Sequence, residues 1–106
     1  MLSQKQIDFL VQQIAFEYQP DKIYLFGSYA NGKANADSDV DLFIVKQTDK
    51  RKIDRSREVR RCIKNYPLTG IDIIVYTPTE LKTALLQTMN IGKEAVTRGK
   101  LVYERV

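Results

Sequence analysis

Residues 26–45 read FGSYANGKANADSDVDLFIV. The short run Ile23-Tyr24-Leu25-Phe26 leads into this stretch and suits a buried strand. Gly27 to Ser38 is rich in Gly, Ala, Asn, Ser and Asp, and reads as loop with at most one short turn of helix. Asp39 to Val45 reads as a second strand. Side chains alternate along a strand, so Asp39 and Asp41 share a face, their Cα atoms about 6.6 Å apart. Val40, Leu42 and Ile44 take the opposite face as core. Phe43 and Val45 continue the aspartate face but turn it apolar. Only the first end of the strand is polar on that side, as a site at a sheet's edge requires.

The flanking sequence supplies the rest of the fold. Ser3 with Gln6 forms a capping box, and Ile7, Leu10, Val11, Ile14 and Tyr18 line one stripe of the helix it opens. Pro20 and Asp21 end that helix. Residues 53–66 read as a second helix with Val59, Cys62, Ile63 and Tyr66 as its buried stripe, and Ile71 to Tyr76 as a third strand. Thr77-Pro78-Thr79-Glu80 is another capping box, with Pro at the first helical position. The helix it opens carries Leu81, Leu85 and Met89. Asn90 to Gly92 interrupts it, a shorter helix runs to about Arg98, and Gly99 caps that helix. Leu101-Val102-Tyr103 closes the chain as a short strand. The order α-β-β-α-β-α-α-β predicts an α/β fold, a small mixed sheet flanked by helices, in a single domain over residues 1–106.

Asp72 joins the same site by topology. A strand-helix-strand connection makes its two strands parallel, and parallel strands start at one edge of the sheet. Asp72 stands near the start of its strand, as Asp39 and Asp41 do. Three converging carboxylates raise one another's pKa unless a cation intervenes, and oxygen-only ligands favour Mg²⁺ or Mn²⁺. Gly27 and Ser28 would lie beside Asp39 and Asp41 if the first two strands are antiparallel. A glycine admits close approach of backbone N–H groups to a phosphate, and Ser28 adds a hydroxyl. Phosphate donors next to a metal-binding carboxylate pair describe phosphoryl or nucleotidyl transfer.

Composition removes the competing chemistries. Among 106 residues there is no His, which excludes Ser-His-Asp and Cys-His catalysis and every His-containing zinc site. A single Cys, Cys62, excludes an internal disulfide and points to a reducing, cytoplasmic setting; on the apolar stripe it reads as inert core. No apolar run exceeds four residues, against the roughly 20 a membrane span needs. The opening MLSQKQ lacks the pattern of a signal peptide.

Gly27-Ser28, ten residues, Asp39-Val40-Asp41 and a later Asp72 resemble the nucleotidyltransferase superfamily that includes DNA polymerase beta. GSYANGKANADSDVDLFIV and the closing GKEAVTRGKLVYE are similar to its minimal nucleotidyltransferase branch, the small partner of HEPN-domain toxins. The resemblance implies a polymerase beta-like fold and metal-dependent transfer of AMP from ATP to a hydroxyl, that of a tyrosine on the toxin, with the chain acting as antitoxin. It implies two Mg²⁺ (or Mn²⁺) ions held by Asp39, Asp41 and Asp72, with Asp72 also serving as base. Gly27 and Ser28 would hold the phosphates. Many members carry Arg in the loop after the Ser; here Tyr29 and Asn31 stand there, leaving Lys33 as the loop's cation and a third candidate for nucleotide binding. A domain that uses all 106 residues for its core leaves none to hold a small acceptor, so a macromolecular acceptor is expected.

Rival readings fare less well. Asp37, Asp39 and Asp41 mimic the start of a calcium loop, but Leu42 and Thr48 stand where Gly and Glu are needed. Gly27 to Lys33 nearly matches a P-loop, but Ala34 replaces the metal-binding hydroxyl and no helical pattern follows. Residues 50–64 hold eight Lys or Arg against two acids. Three readings of that segment stand open: a solvated helix face, docking of an acidic partner through Arg55, Arg57, Arg60, Arg61 or Lys64, and the less favoured nucleic-acid contact. A non-catalytic antitoxin that masks its partner by binding, and a basic nucleic-acid-binding module, are the alternatives to an enzyme.

Overall fold

The computed structural model describes residues 2–64 and 70–106. In chain order they form α1 (Gln4–Tyr18), β1 (Lys22–Phe26), α2 (Ser28–Asn31), β2 (Val40–Val45), α3 (Lys52–Cys62), β3 (Ile71–Tyr76), α4 (Pro78–Leu85), α5 (Ile91–Arg98) and β4 (Lys100–Glu104). The four strands make one mixed sheet in the order β3-β2-β1-β4. β1 is antiparallel to both β2 and β4, and β2 is parallel to β3. The sheet is therefore the mixed one that the element order predicts.

Local chemistry accounts for most boundaries. The Ser3 hydroxyl accepts the Gln6 N–H while the Gln6 side chain accepts the Ser3 N–H, so both capping bonds of α1 are made. Gln19 then turns left-handed at φ 53° and stops the helix. Ile7, Leu10, Val11, Ile14 and Tyr18 are all buried, as their spacing predicts.

Each face of the sheet carries its own core. Val40, Leu42 and Ile44 pack with Ile23 and Leu25 under α1 and α3. Phe43 and Val45 pack on the other side with Tyr24, Phe26 and Ala95, partly covered by Leu81, Ile91 and Val96. β2 is sandwiched between these layers, which explains its continuous apolar run after Asp41.

Several expectations are corrected. α4 ends at Leu85, because the Asn90 side-chain amide donates to the Ala84 carbonyl and closes the helix there. Leu85 is consequently 38% exposed and Met89 89%, and Ala84 joins Leu81 on the packed face instead. The segment read as a helix over 53–66 is helical over Lys52–Cys62, and Tyr66 lies outside the described residues. Asp39 precedes β2 instead of opening it. Cys62 is half-buried against the α1 side core; its thiol donates to the Glu58 carbonyl, and burial pushes its pKa up.

The basic helix α3 is corrected most. Arg55 is 6% exposed. Its guanidinium pairs with both Glu80 carboxylate oxygens at 2.7 and 3.3 Å and donates to the Lys50 and Val75 carbonyls. Arg60 donates to the Ile71 carbonyl at 2.9 Å. Two of the five cations expected to face a partner thus tie α3 to β3 and α4. Arg57, Arg61 and Lys64 are exposed.

Candidate active site

The antiparallel pairing of β1 with β2 sets Phe26 opposite Asp41, so the chain leaves β1 as Gly27 beside that carboxylate. Gly27 adopts φ 75° and ψ −154°, a region essentially closed to other residues. A Cβ built there would lie 2.3 Å from Asp41 Oδ2. Glycine is thus required twice, for conformation and for the space in front of Asp41. Ser28 then opens α2. Its first acceptor is the Gly27 carbonyl, which takes the Ala30 and Asn31 N–H groups. The amides of Ser28 and Tyr29 stand ahead of that ladder, as the first amides of any helix do.

The parallel pairing of β2 with β3 sets Asp41 directly opposite Asp72. Both face the α5 side of the sheet, in series with Phe43 and Ile74. Asp72 is exposed and Asp41 half-buried. Burial pushes the Asp41 carboxyl up from 3.8 to about 6, reinforced by a hydrogen bond to Asp72 and by the charges of Asp72, Asp39 and Glu94. Asp39 is exposed one residue before the strand, with one carboxylate oxygen 3.6 Å from where a Cβ on Gly70 would lie. Among the described residues no three acidic or cysteine side chains are gathered closely enough to hold a metal ion as they stand. The tight contact is the Asp41–Asp72 pair, and Asp39 acts on it through charge.

Lys33 lies just past α2. Its amide donates to the Ser28 carbonyl and to the Asn31 side chain, and its side chain is exposed. Asp39 also lines a cavity of about 320 Å³ with Tyr29, Ser38 and Gly70 on the α1 side of the sheet. Tyr29 is anchored there by accepting the Leu2 N–H at 3.0 Å on its hydroxyl.

One residue of the site escaped the sequence reading. Glu94 on α5 adds its negative charge to the field at Asp41, although 53 positions separate the two. On α5 it reads as an ordinary exposed helix residue, and nothing in its spacing marks it.

A first expected outcome follows from Gly27. Gly27→Ala should cost roughly 1–3 kcal/mol through backbone strain alone. It should also push Asp41 out of register with Asp72. A lowered melting temperature together with lost nucleotide binding checks this; a variant that melts and binds as the unaltered chain does would contradict it.

Residues 9–106 match the family described as Polymerase beta, Nucleotidyltransferase. A curated protein of Methanocaldococcus jannaschii, provisionally named protein adenylyltransferase MJ1305, is 37% identical over 87 residues. That match takes in 78% of this chain and 58% of the relative, so the chain spans little more than half of that protein's length. Among solved structures, a protein from Sulfolobus solfataricus provisionally described as a nucleotidyltransferase superposes with TM-score 0.61 at 22% identity, covering 95% of this chain and 79% of that one. A toxin-antitoxin structure with AMP-PNP superposes with TM-score 0.57 at 20% identity, covering 92% and 73%. A mutant of the toxin-antitoxin MntA-HpeT gives TM-score 0.51 at 19% identity, covering 98% and 75%. These structural likenesses show a shared fold. With the Gly27-Ser28 turn set against Asp41 and Asp72 across a parallel strand pair, and with a family match over nearly its whole length, this chain belongs to the polymerase beta nucleotidyltransferase family.

Proposed function

We propose that the chain is a metal-dependent nucleotidyltransferase that moves AMP from ATP onto a tyrosine hydroxyl of a HEPN-domain toxin and so acts as its antitoxin. The observation that carries this reading is the bare Gly27 Cα facing Asp41, with Asp72 opposite. The name of the M. jannaschii relative and the toxin-antitoxin and AMP-PNP descriptions of the structural neighbours support it.

The donor set suits Mg²⁺ or Mn²⁺. Asp39, Asp41 and Asp72 offer only carboxylate oxygens, and burial, with the hydrogen bond to Asp72 and the neighbouring like charges, holds Asp41 ready to exchange a proton for a cation. When bound, such ions neutralise charge on the phosphates and on the leaving pyrophosphate. The chain's own residues do the positioning. The amides of Ser28 and Tyr29, with the Ser28 hydroxyl, hold the terminal phosphates on the β1 side of Asp41. In-line displacement then brings the acceptor from the opposite, β3 side. Asp72 stands on that side and takes the hydroxyl proton on a carboxylate oxygen. The acceptor oxygen forms its bond to the α-phosphorus as the bond to pyrophosphate breaks.

The test is direct. The chain is incubated with Mg²⁺, ATP labelled at the α-phosphate and a purified HEPN-domain protein. Label on that protein, with an equal amount of pyrophosphate released, is the expected outcome. Stable binding with neither label nor pyrophosphate would instead support the non-catalytic antitoxin.

A further inference from the structure

α5 connects the far end of the sheet to the carboxylate edge. Near its start Gly92 packs against Tyr76 and Leu81, and just past its end Gly99 packs against Leu25 and Phe26. Tyr76 ends β3 away from Asp72, whereas Phe26 pairs with Asp41. The buried side of α5 is Gly92 and Ala95. Its outer flank borders a groove of about 520 Å³, lined by Met89, Ile91, Lys93, Glu94, Thr97 and Arg98 among others. The groove therefore runs from the α4–α5 elbow to Glu94, whose charge is felt at Asp41. The neighbouring face of β3 is open as well: Asp72 is exposed and Ile74 half-buried, whereas Ile71, Ile73 and Val75 on its other face are buried.

The elbow is unusually apolar for an exposed turn. Leu86 is 84% and Met89 89% exposed, and Leu85 beside them is 38% exposed. Met89 is held at φ 41°, a left-handed conformation uncommon for a residue with a side chain. Asn90 braces the turn from both sides, donating to the Ala84 carbonyl and accepting the Lys93 N–H. Two large apolar side chains are thus presented to solvent on a braced support. Exposed apolar surface of this kind, rimmed by polar groups, marks an interaction site.

We propose that the α4–α5 elbow and the outer flank of α5 form the docking surface for the protein acceptor, with Leu86 and Met89 as its apolar anchors. The inference rests on the adenylyl-transfer reading and deepens it. α5 leads from the elbow to Gly99, which lies against Phe26 opposite Asp41, so a segment docked along the helix is directed towards the carboxylates. An eight-residue helix is about 12 Å long. The acceptor segment therefore carries an apolar anchor about 12 Å from its modified hydroxyl, two helical turns or four extended residues away. Charge defines it further. Arg98 makes no ion pair among the described residues, and the Lys93 ammonium bonds only the Gln87 carbonyl. Arg98, and the N–H donors that Lys93 has left, can receive a carboxylate on the segment between its anchor and its hydroxyl.

The experiment uses the intact chain, Mg²⁺-ATP and the HEPN-domain protein as probe. Leu86→Glu with Met89→Glu should raise the KM for that protein at least tenfold and change kcat by less than about threefold, since anchoring is lost but the reacting groups are not. The melting temperature and the affinity for Mn²⁺-ATP should stay as they are, because both side chains are solvated. Leu86→Met with Met89→Leu should behave as the unaltered chain. Unchanged KM in the glutamate variant, with label still transferred, would overturn the docking surface alone. No label from the unaltered chain would overturn the adenylyl-transfer reading and this inference with it.

Discussion

Asp39→Asn combined with Asp41→Asn should abolish nucleotidyl transfer, by at least about 10³-fold, while raising the melting temperature of the metal-free protein. The two effects have one origin. Asp41 is half-buried beside Asp72, with Asp39 and Glu94 adding negative charge, and its carboxyl is pushed up to about 6. The folded state therefore holds a proton on Asp41 more tightly than the unfolded chain does. Stability conferred by that proton is present below the unfolded value near 4 and is lost as the pH rises to about 6. Above that range the ionised carboxylate is a standing cost of the apo fold. Asparagine at position 41 keeps a hydrogen-bonding partner for Asp72 and removes the charge. Melting curves recorded with a chelator should show the variant a few degrees more stable at pH 7–8, and the gap should close towards pH 4. Binding of Mn²⁺ to the unaltered chain should weaken as the pH falls through about 6, because the metal must displace the Asp41 proton. Retained transfer in the double variant would remove the aspartates from the chemistry. A variant less stable than the unaltered chain at pH 8 would contradict the electrostatic account.

Glu80→Ala should produce the largest loss of stability. The Arg55 guanidinium is buried and pairs in bidentate fashion with Glu80, the geometry in which an ion pair is strong. Removing the carboxylate strands a buried charge, a loss of 3–5 kcal/mol where both partners are fully buried. The Glu80 side chain is 34% exposed, so water recovers part of that, leaving about 2–3 kcal/mol. The same carboxylate accepts the Thr77 N–H at 2.8 Å in the capping box of α4, which adds about 1 kcal/mol. Together these should lower the melting temperature by more than about 10 °C. Glu80→Gln, which retains the cap and loses the charge, should fall between. Arg55 and the Thr77 amide hold the Glu80 carboxyl below its usual range. Its contribution is thus present above the ordinary glutamate value and lost as the pH falls through the depressed one, so the variant and the unaltered chain should converge at low pH. A drop of only a few degrees at pH 7 would show that Arg55 is solvated or partnered elsewhere.

Much of this protein is determined by neighbours in sequence, and those parts were legible. The caps at Ser3 and Thr77, the stripe of α1 and the alternation along β2 depend on residues within about four positions of one another. That Asp41 and Asp72 meet at one edge of the sheet was legible for a related reason, because the handed strand-helix-strand connection makes the two strands parallel; the register that sets them directly opposite came from the structure. What depended on how elements dock was not. Nothing in the charge run of α3 separates Arg55, which turns inward to Glu80, from Arg57, which faces solvent. Leu85 and Met89 continue an apolar spacing, yet Asn90 ends the helix and leaves them outside. Glu94 reaches the site only because α5 lies across the sheet towards Asp41. Backbone periodicity and capping are short-range and act before the chain is compact. The partner of a buried charge, the exposure of an apolar elbow and the field at a carboxylate arise only when distant elements meet and water leaves between them.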